Sequence, residues 1–322
     1  MKINTIDEAL SSVKNDGLKL KKIDKELMSS EVITLAIKEN SLSLQFVPKK
    51  CITEQMCIKA VTANGLALEF VPKDYRTENL SLIAVKQNGL SLEFVPKGIK
   101  NIDICLAAVE QNGLATTFVP KNERTIDLCS KAVAQNGLAI QYCDIEDETL
   151  CLASVTQNGL ALKHIPKSQR TIDCCMAAVK KNGLALQYVP DSLKNNVMCL
   201  DAIKQNAKSL KYVPKSLKTT KLCVEAVKQN RWILTKLDNE YKVPAVCMAA
   251  VVHDGSMLEY APKISRTVEL CSVAVANDAL ALEFVPKSLR TEELCVQATK
   301  QYGKIFKHIP KEHINACREV LA

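Results

Sequence analysis

Ten of the eleven prolines in this chain occupy one recurring position: Pro48, Pro72, Pro96, Pro120, Pro166, Pro190, Pro214, Pro262, Pro286 and Pro310. Most neighbours in that series stand 24 residues apart, and Asp24, Asp144 and Asp238 fill the gaps in the same register. The result is thirteen slots with one irregular spacing, 22 residues between Asp144 and Pro166. A fixed period of this size marks a solenoid. Each unit is too small to bury its own apolar face, so stacked neighbours must supply a continuous core. A chain of 322 residues would otherwise suggest about two globular domains. The period instead predicts one continuous array over 1–322, with irregular repeats at 143–151 and 231–244 and a shortened C-terminal cap over 311–322.

Residues Thr77 to Lys97 show one unit. Thr77 has the side chain of a helix N-cap, and the equivalent slot holds Ser29, Thr53, Asn101, Thr125, Thr171, Asn195, Thr219, Thr267 and Thr291. Acids such as Glu78, Asp103 and Asp127 follow in the first turn, where the helix dipole favours them. Leu80, Ala84 and Val85 keep a helical spacing. Asn88-Gly89 ends the segment, and Gly89 is expected in the left-handed conformation common after a helix. The second half of the unit supports two readings. Leu90, Leu92 and Phe94 alternate like a strand, which would make a leucine-rich-repeat-like α/β solenoid. Against this, Leu210, Val213 and Leu217 continue a helical period across Pro214, and the exchange of Pro with Asp suits the start of a helix. The expected fold is therefore all-α, a right-handed α-solenoid of about thirteen 24-residue repeats, each a three-turn helix plus a short helix or turn.

Apolar residues make up 47% of the chain and charged residues 24%, an ordinary balance for a folded protein. No run approaches the roughly 18 apolar residues of a membrane span. The first eight residues contain no apolar stretch, so a standard secretory signal is not expected. Eleven of the fourteen cysteines share one repeat position, from Cys57 and Cys105 to Cys295 and Cys317. Equivalent positions on packed helices lie about 8–10 Å apart, too far for a disulfide or a shared zinc ion. Cysteine is read here as a small buried hydrophobe in a reducing, cytoplasmic setting. Cys51, Cys143 and Cys174 lie off that ladder. An aromatic slot two residues before the proline takes Phe46, Phe70, Phe94, Phe118, Tyr142, Tyr188, Tyr212, Tyr260 and Phe284, and is read as core. His164 and His308 stand in the same slot as half-buried substitutions.

The segment A-V-K-Q-N-G-L-S-L-E-F of residues 84–94, copied in nearly every repeat, resembles the repeat known only as domain of unknown function 4116. The resemblance covers essentially the whole chain. Such repeats occur in bacteria and protists, including intracellular bacteria such as Legionella that deliver effectors into host cells. The resemblance implies a helical repeat and an effector setting, in the cytoplasm or inside a host cell. It brings no established activity.

Catalysis requires unlike groups that converge. With only His164, His253, His308 and His313 available, no nucleophile–base arrangement is visible. The glycines stand singly at helix ends and form no phosphate loop. The acidic run Glu146-Asp147-Glu148 reads as a solvated loop. No enzyme activity, cofactor or metal is expected.

Charge carries the functional reading. The residue after the Pro/Asp slot is lysine in ten of thirteen repeats, among them Lys73, Lys97, Lys121 and Lys167. Three residues further on stands a second basic row with Arg76, Lys100, Arg124 and Arg170. Together these rows hold nearly half of the 43 basic residues of a chain with net charge +8. Residues three apart on a helical turn share a side, so stacking would align a double stripe able to attract an acidic partner. The plain alternative is that the lysines pair with Glu69, Glu93, Glu259 and Glu283, or form a solubilising surface row. The asparagines before the glycine slot, such as Asn88 and Asn112, are read as satisfying local backbone groups. Specificity is sought at the two breaks. At the second, Arg231-Trp232 replaces Gly-Leu, Lys236 replaces the aromatic and Asp238 the proline. Trp and Arg are frequent binding hot spots, and Trp232 is the sole tryptophan. The resulting expectation is a monomeric, non-catalytic scaffold that binds a protein, acidic or from a host, through the basic stripe, Arg231 and Trp232. The alternative is a solenoid that binds nucleic acid through the same Lys/Arg ladder.

Overall fold

The computed structural model describes residues 3–321. Among these residues every regular element is helical and no strand occurs, which removes the leucine-rich-repeat-like alternative. The chain divides into two compact units at residues 174 and 175. The first contains α1 (Ile6–Asn15), α2 (Ser30–Glu39), α3 (Glu54–Ala63), α4 (Glu78–Gln87), α5 (Ile102–Gln111), α6 (Ile126–Gln135) and α7 (Glu148–Gln157). The sequence boundary falls within α8 (Ile172–Lys181). The second contains α9 (Asn196–Gln205), α10 (Thr220–Gln229), the short α11 (Ile233–Lys236), α12 (Pro244–Val251), α13 (Val268–Asn277), α14 (Glu292–Gln301) and the terminal α15 (Ile314–Glu319).

In the regular repeats the cap residue starts the helix, as α4 shows. The Thr77 hydroxyl accepts from the Leu80 N–H at 3.3 Å, and Leu80, Ser81, Ala84 and Val85 bury one face of α4. The helix stops at Asn88, whose backbone is extended (φ −149°, ψ 109°). The Asn88 side chain then accepts from Leu90 N–H at 3.1 Å and caps a six-residue 3-10 helix, Gly89–Phe94. After Val95, the Pro96 carbonyl accepts from Ile99 N–H at 3.1 Å and opens the 3-10 turn Lys97–Ile99. The second half of the unit is thus neither strand nor α-helix. With three residues per turn, Gly89, Leu92 and Val95 fall on one ridge, and all three are buried. Leu90 and Phe94, which gave the strand-like alternation, are only half-buried.

The glycine reading needs correction. None of the described glycines has a positive φ. Gly89 is required because a Cβ there would lie 2.2 Å from the Ala108 carbonyl oxygen on α5. Gly17, Gly65, Gly113, Gly137, Gly183 and Gly255 meet the next helix in the same way, at 2.2–2.4 Å. The contact is sealed by a glutamine from the following repeat: Gln135 Oε1 accepts from Gly113 N–H at 2.7 Å, while its Nε2 donates to the Gln111 carbonyl at 3.5 Å. Where serine or alanine takes the glycine slot the junction loosens, whereas at Arg231 the flanking α10 and α12 pack as closely as at the glycine junctions. Ser41, Ala207 and Ala279 hold the slot at α2–α3, α9–α10 and α13–α14. Inside the units these three junctions have the sparsest packing between successive helices of eight or more residues. At α2–α3 the glutamine slot is also lost, to Ala63, and a groove of about 610 Å³ opens there.

Candidate functional site

The two basic rows turn out to do different things. In the second row the side chains are half-buried and point back at the main chain. Arg76 donates through Nε to the Val71 carbonyl at 2.7 Å, through Nη1 to Phe94 at 3.0 Å and through Nη2 to Glu69 at 2.8 Å. One guanidinium therefore closes its own turn and clamps the next repeat. Arg124 repeats this on Val119 (3.0 Å) and Tyr142 (2.9 Å), and Arg170 on Ile165 (2.9 Å) and Lys163 (3.4 Å). Lys100 reaches the Phe118 carbonyl at 3.4 Å. Burial pulls the Arg76 guanidinium and the Lys100 ammonium below their ordinary pKa values. In the second unit Arg266 and Arg290 make the same three-carbonyl clamp, and Lys194 donates to Tyr212 at 2.8 Å.

First-row side chains are exposed. Lys73, Lys97, Lys121 and Lys167 all project to solvent in the first unit. Among the described residues, Lys73, Lys97 and Lys167 form no ion pair, and none pairs with Glu69 or Glu93. In the second unit Glu283 faces His308 at 3.8 Å instead. Lys121 is the exception: Asp144 lies 3.9 Å from it and 3.4 Å from Arg124. The acidic run at 146–148 has a local use. Asp147 caps α7 by accepting from Leu150 N–H at 2.8 Å, and hydrogen bonds from Thr149 and Leu150 hold its carboxyl below the usual range.

The break in the second unit rebuilds the local polar contacts. Arg231 stands in the glycine slot, and its Nε donates to Asp254 at 2.9 Å. The same guanidinium lies 5.7 Å from the Trp232 ring, and Tyr260 meets that ring edge-on at 6.5 Å and 67°. Trp232 remains 50% exposed. The usual six-residue 3-10 helix is replaced by the single turn of α11, and α12 starts at Pro244 with no side-chain cap. Beside Trp232 lies a cavity of about 320 Å³ whose lining includes Lys208, Lys211, Lys218 and Lys236. The sequence pattern marked Lys236 and Trp232 as departures from the repeat and Lys218 as a member of the second basic row. Lys208 and Lys211 carried no pattern signal, because isolated surface lysines are common.

The cysteines show no cluster. All except Cys51 are buried, and all fourteen are free thiols. Burial pushes Cys57, Cys105, Cys247 and Cys295 up to about 11. At the first break, a hydrogen bond between Cys129 and Cys143 lowers the former and raises the latter. Among the described residues no group of three His, Cys, Asp or Glu could hold a metal ion. Nor is any helix of these residues long and apolar enough to cross a membrane.

The family described as domain of unknown function (DUF4116) matches residues 29–76, 77–124, 125–170, 172–218, 198–242 and 267–314. These six segments cover more than half of the chain. The chain belongs to the DUF4116 family. Each DUF4116 match spans about two of the 24-residue units seen here, and the matched stretch 198–242 includes Trp232. No match to the chain was found among curated proteins or among solved structures.

Proposed function

We propose that this DUF4116 protein is a non-catalytic scaffold that captures an acidic polypeptide along its exposed lysine row. One observation carries the reading: Lys73, Lys97 and Lys167 are exposed without ion pairs, while Arg76, Arg124 and Arg170 three residues on are engaged with backbone carbonyls. Each of these repeats thus presents one ammonium on a clamped turn. Packed helices stand about 8–10 Å apart. A polyproline-II segment has three residues per turn and rises about 3.1 Å per residue, so acids at every third residue fall on one face and would meet one lysine per repeat. A single exposed pair contributes only about 0–1 kcal/mol, so useful affinity requires several repeats acting together. The bacterial effector setting implied by the family resemblance belongs to the same proposal, and a translocation-reporter fusion tests it.

The binding test uses a synthetic peptide with glutamate at every third residue, a scrambled peptide of equal charge and a single-stranded RNA. Wild type should prefer the patterned peptide. The triple variant Lys73→Glu, Lys97→Glu, Lys121→Glu should lose it without a lower melting temperature. Retention by the triple variant would sink the proposal. Tighter RNA binding that collapses with added salt would put the nucleic-acid reading in its place.

A further inference from the structure

A second site lies at the Trp232 break, on different residues and for a different kind of ligand. Its origin is visible in the repeat register. The aromatic slot holds Tyr212, then Lys236, then Tyr260. A thin aliphatic chain has replaced a ring, and α11 has replaced the usual 3-10 helix. The cavity of about 320 Å³ beside Lys236 has Leu210, Ile233 and Leu237 as apolar lining, with Trp232 at its edge.

Four lysines line this space: Lys208, Lys211, Lys218 and Lys236. No acidic residue lines it, and none of the four forms an ion pair among the described residues. Lys218 is the telling case. Its counterparts Lys100 and Lys194 donate to a carbonyl 18 residues ahead, but Lys218 lies over the Tyr241 ring at 5.0 Å. Lys211 sits over Tyr212 at 4.7 Å. A ring face can hold an ammonium in place without neutralising it. Four like charges around one cavity repel each other, and an anion with two or more charges relieves that repulsion.

We infer that this cavity binds a small phosphorylated ligand with a planar ring, of the nucleotide class. The lysines meet the phosphates, and the apolar lining beside Trp232 receives the ring at the place where the repeat lacks its own. A bare phosphate would leave the apolar lining without a partner, and an uncharged ring would leave the lysines without one. The volume falls at the low end of ligand cavities, about 300–1,000 Å³, which suits one nucleotide and no polymer.

Because Trp232 is the sole tryptophan, its fluorescence reports on this cavity alone. ADP should change that signal saturably. Adenosine, pyrophosphate and inositol hexakisphosphate should each bind at least about tenfold more weakly, a difference of about 1.4 kcal/mol. Lys236→Tyr, which restores the repeat's ring, should abolish the ADP response with an unchanged circular dichroism spectrum. Lys208→Glu, at an exposed position, should weaken ADP about tenfold and decides the matter if Lys236→Tyr fails to fold. No saturable response at millimolar ADP overturns the inference. So does pyrophosphate binding as tightly as ADP, or ADP binding unaltered by Lys208→Glu. The lysine-row triple variant should leave the titration unchanged, so the failure of either proposal is separate from the other.

Discussion

The repeats around α4, α5 and α6 and the break at 231–244 are made from the same template, yet they use polar groups in opposite ways. In the regular repeats, glycine admits the next helix, glutamine seals the contact and the second-row arginine or lysine bonds a carbonyl of the next repeat, so each of these polar groups holds neighbours together. Only the first-row lysine is left over. At the break, Arg231 fills the glycine slot and Lys236 the aromatic slot, while Lys218 lies over a ring instead of bonding a carbonyl. There Lys218 and Lys236 line a cavity, while Arg231 still reaches Asp254 of the next repeat. The regular repeat directs its polar groups at the neighbouring repeat, and the break leaves two lysines on a cavity.

Three sets of substitutions probe that contrast, ordered by the largest effect expected in each. Gly89→Ala drives a Cβ to 2.2 Å from the Ala108 oxygen and should cost about 1–3 kcal/mol or more in chemical unfolding. Gly98→Ala, with nothing within 4 Å, should be neutral or slightly stabilising. Arg231→Ala in the equivalent slot at the break should cost no more than about 1 kcal/mol, because a half-exposed ion pair and an exposed ring contact are lost. Equal losses at Gly89 and Arg231 would erase the distinction between regular repeat and break.

Arg76→Met should lower stability by about 1.5–3 kcal/mol, the range for hydrogen bonds to a charged group. Lys73→Met should stay within about 0.5 kcal/mol. If the two matched, the rows would not be separable into clamp and surface. Ser91→Ala should raise stability by about 1 kcal/mol, since the Ser91 hydroxyl is buried without a partner and Ala67 and Ala115 hold the same slot.

The smallest effect is in pH dependence. Burial lowers the His164 pKa from about 6.5. The unfolded chain therefore takes up the proton more readily, and stability is full above about pH 6.5 and falls below it. His164→Phe, which restores the usual ring, should flatten that part of the melting-temperature profile. An unchanged profile would assign the acid sensitivity to other groups.

Much of the repeat was legible without coordinates. Threonine, serine or asparagine before Leu80-type positions announced the helix starts, because only such side chains satisfy exposed first-turn N–H groups. The asparagine row was readable as backbone capping, and Asn88 and Asn112 do accept from the N–H two residues ahead. The 3-10 helix at 89–94 escaped, since a period of three over six residues is too short to distinguish from alternation. Of the candidate site residues, Lys73, Lys97, Lys121 and Lys167 lie on the exposed row. The roles of Arg76, Arg124 and Arg170 could not be read, because their acceptors are carbonyls, which every residue carries.

The sequence by itself determined the period, the helix starts, the buried cysteine and leucine rows and the two places where the pattern fails. These depend on side-chain type within a few residues along the chain. Tertiary structure alone decided why the glycines are glycines, which basic row clamps and which faces solvent, and that a cavity ringed by lysines opens beside Trp232. Each of those depends on an atom of the neighbouring repeat, such as the Ala108 oxygen 2.2 Å from a Cβ that Gly89 lacks. A distance between repeats has no signature within one of them.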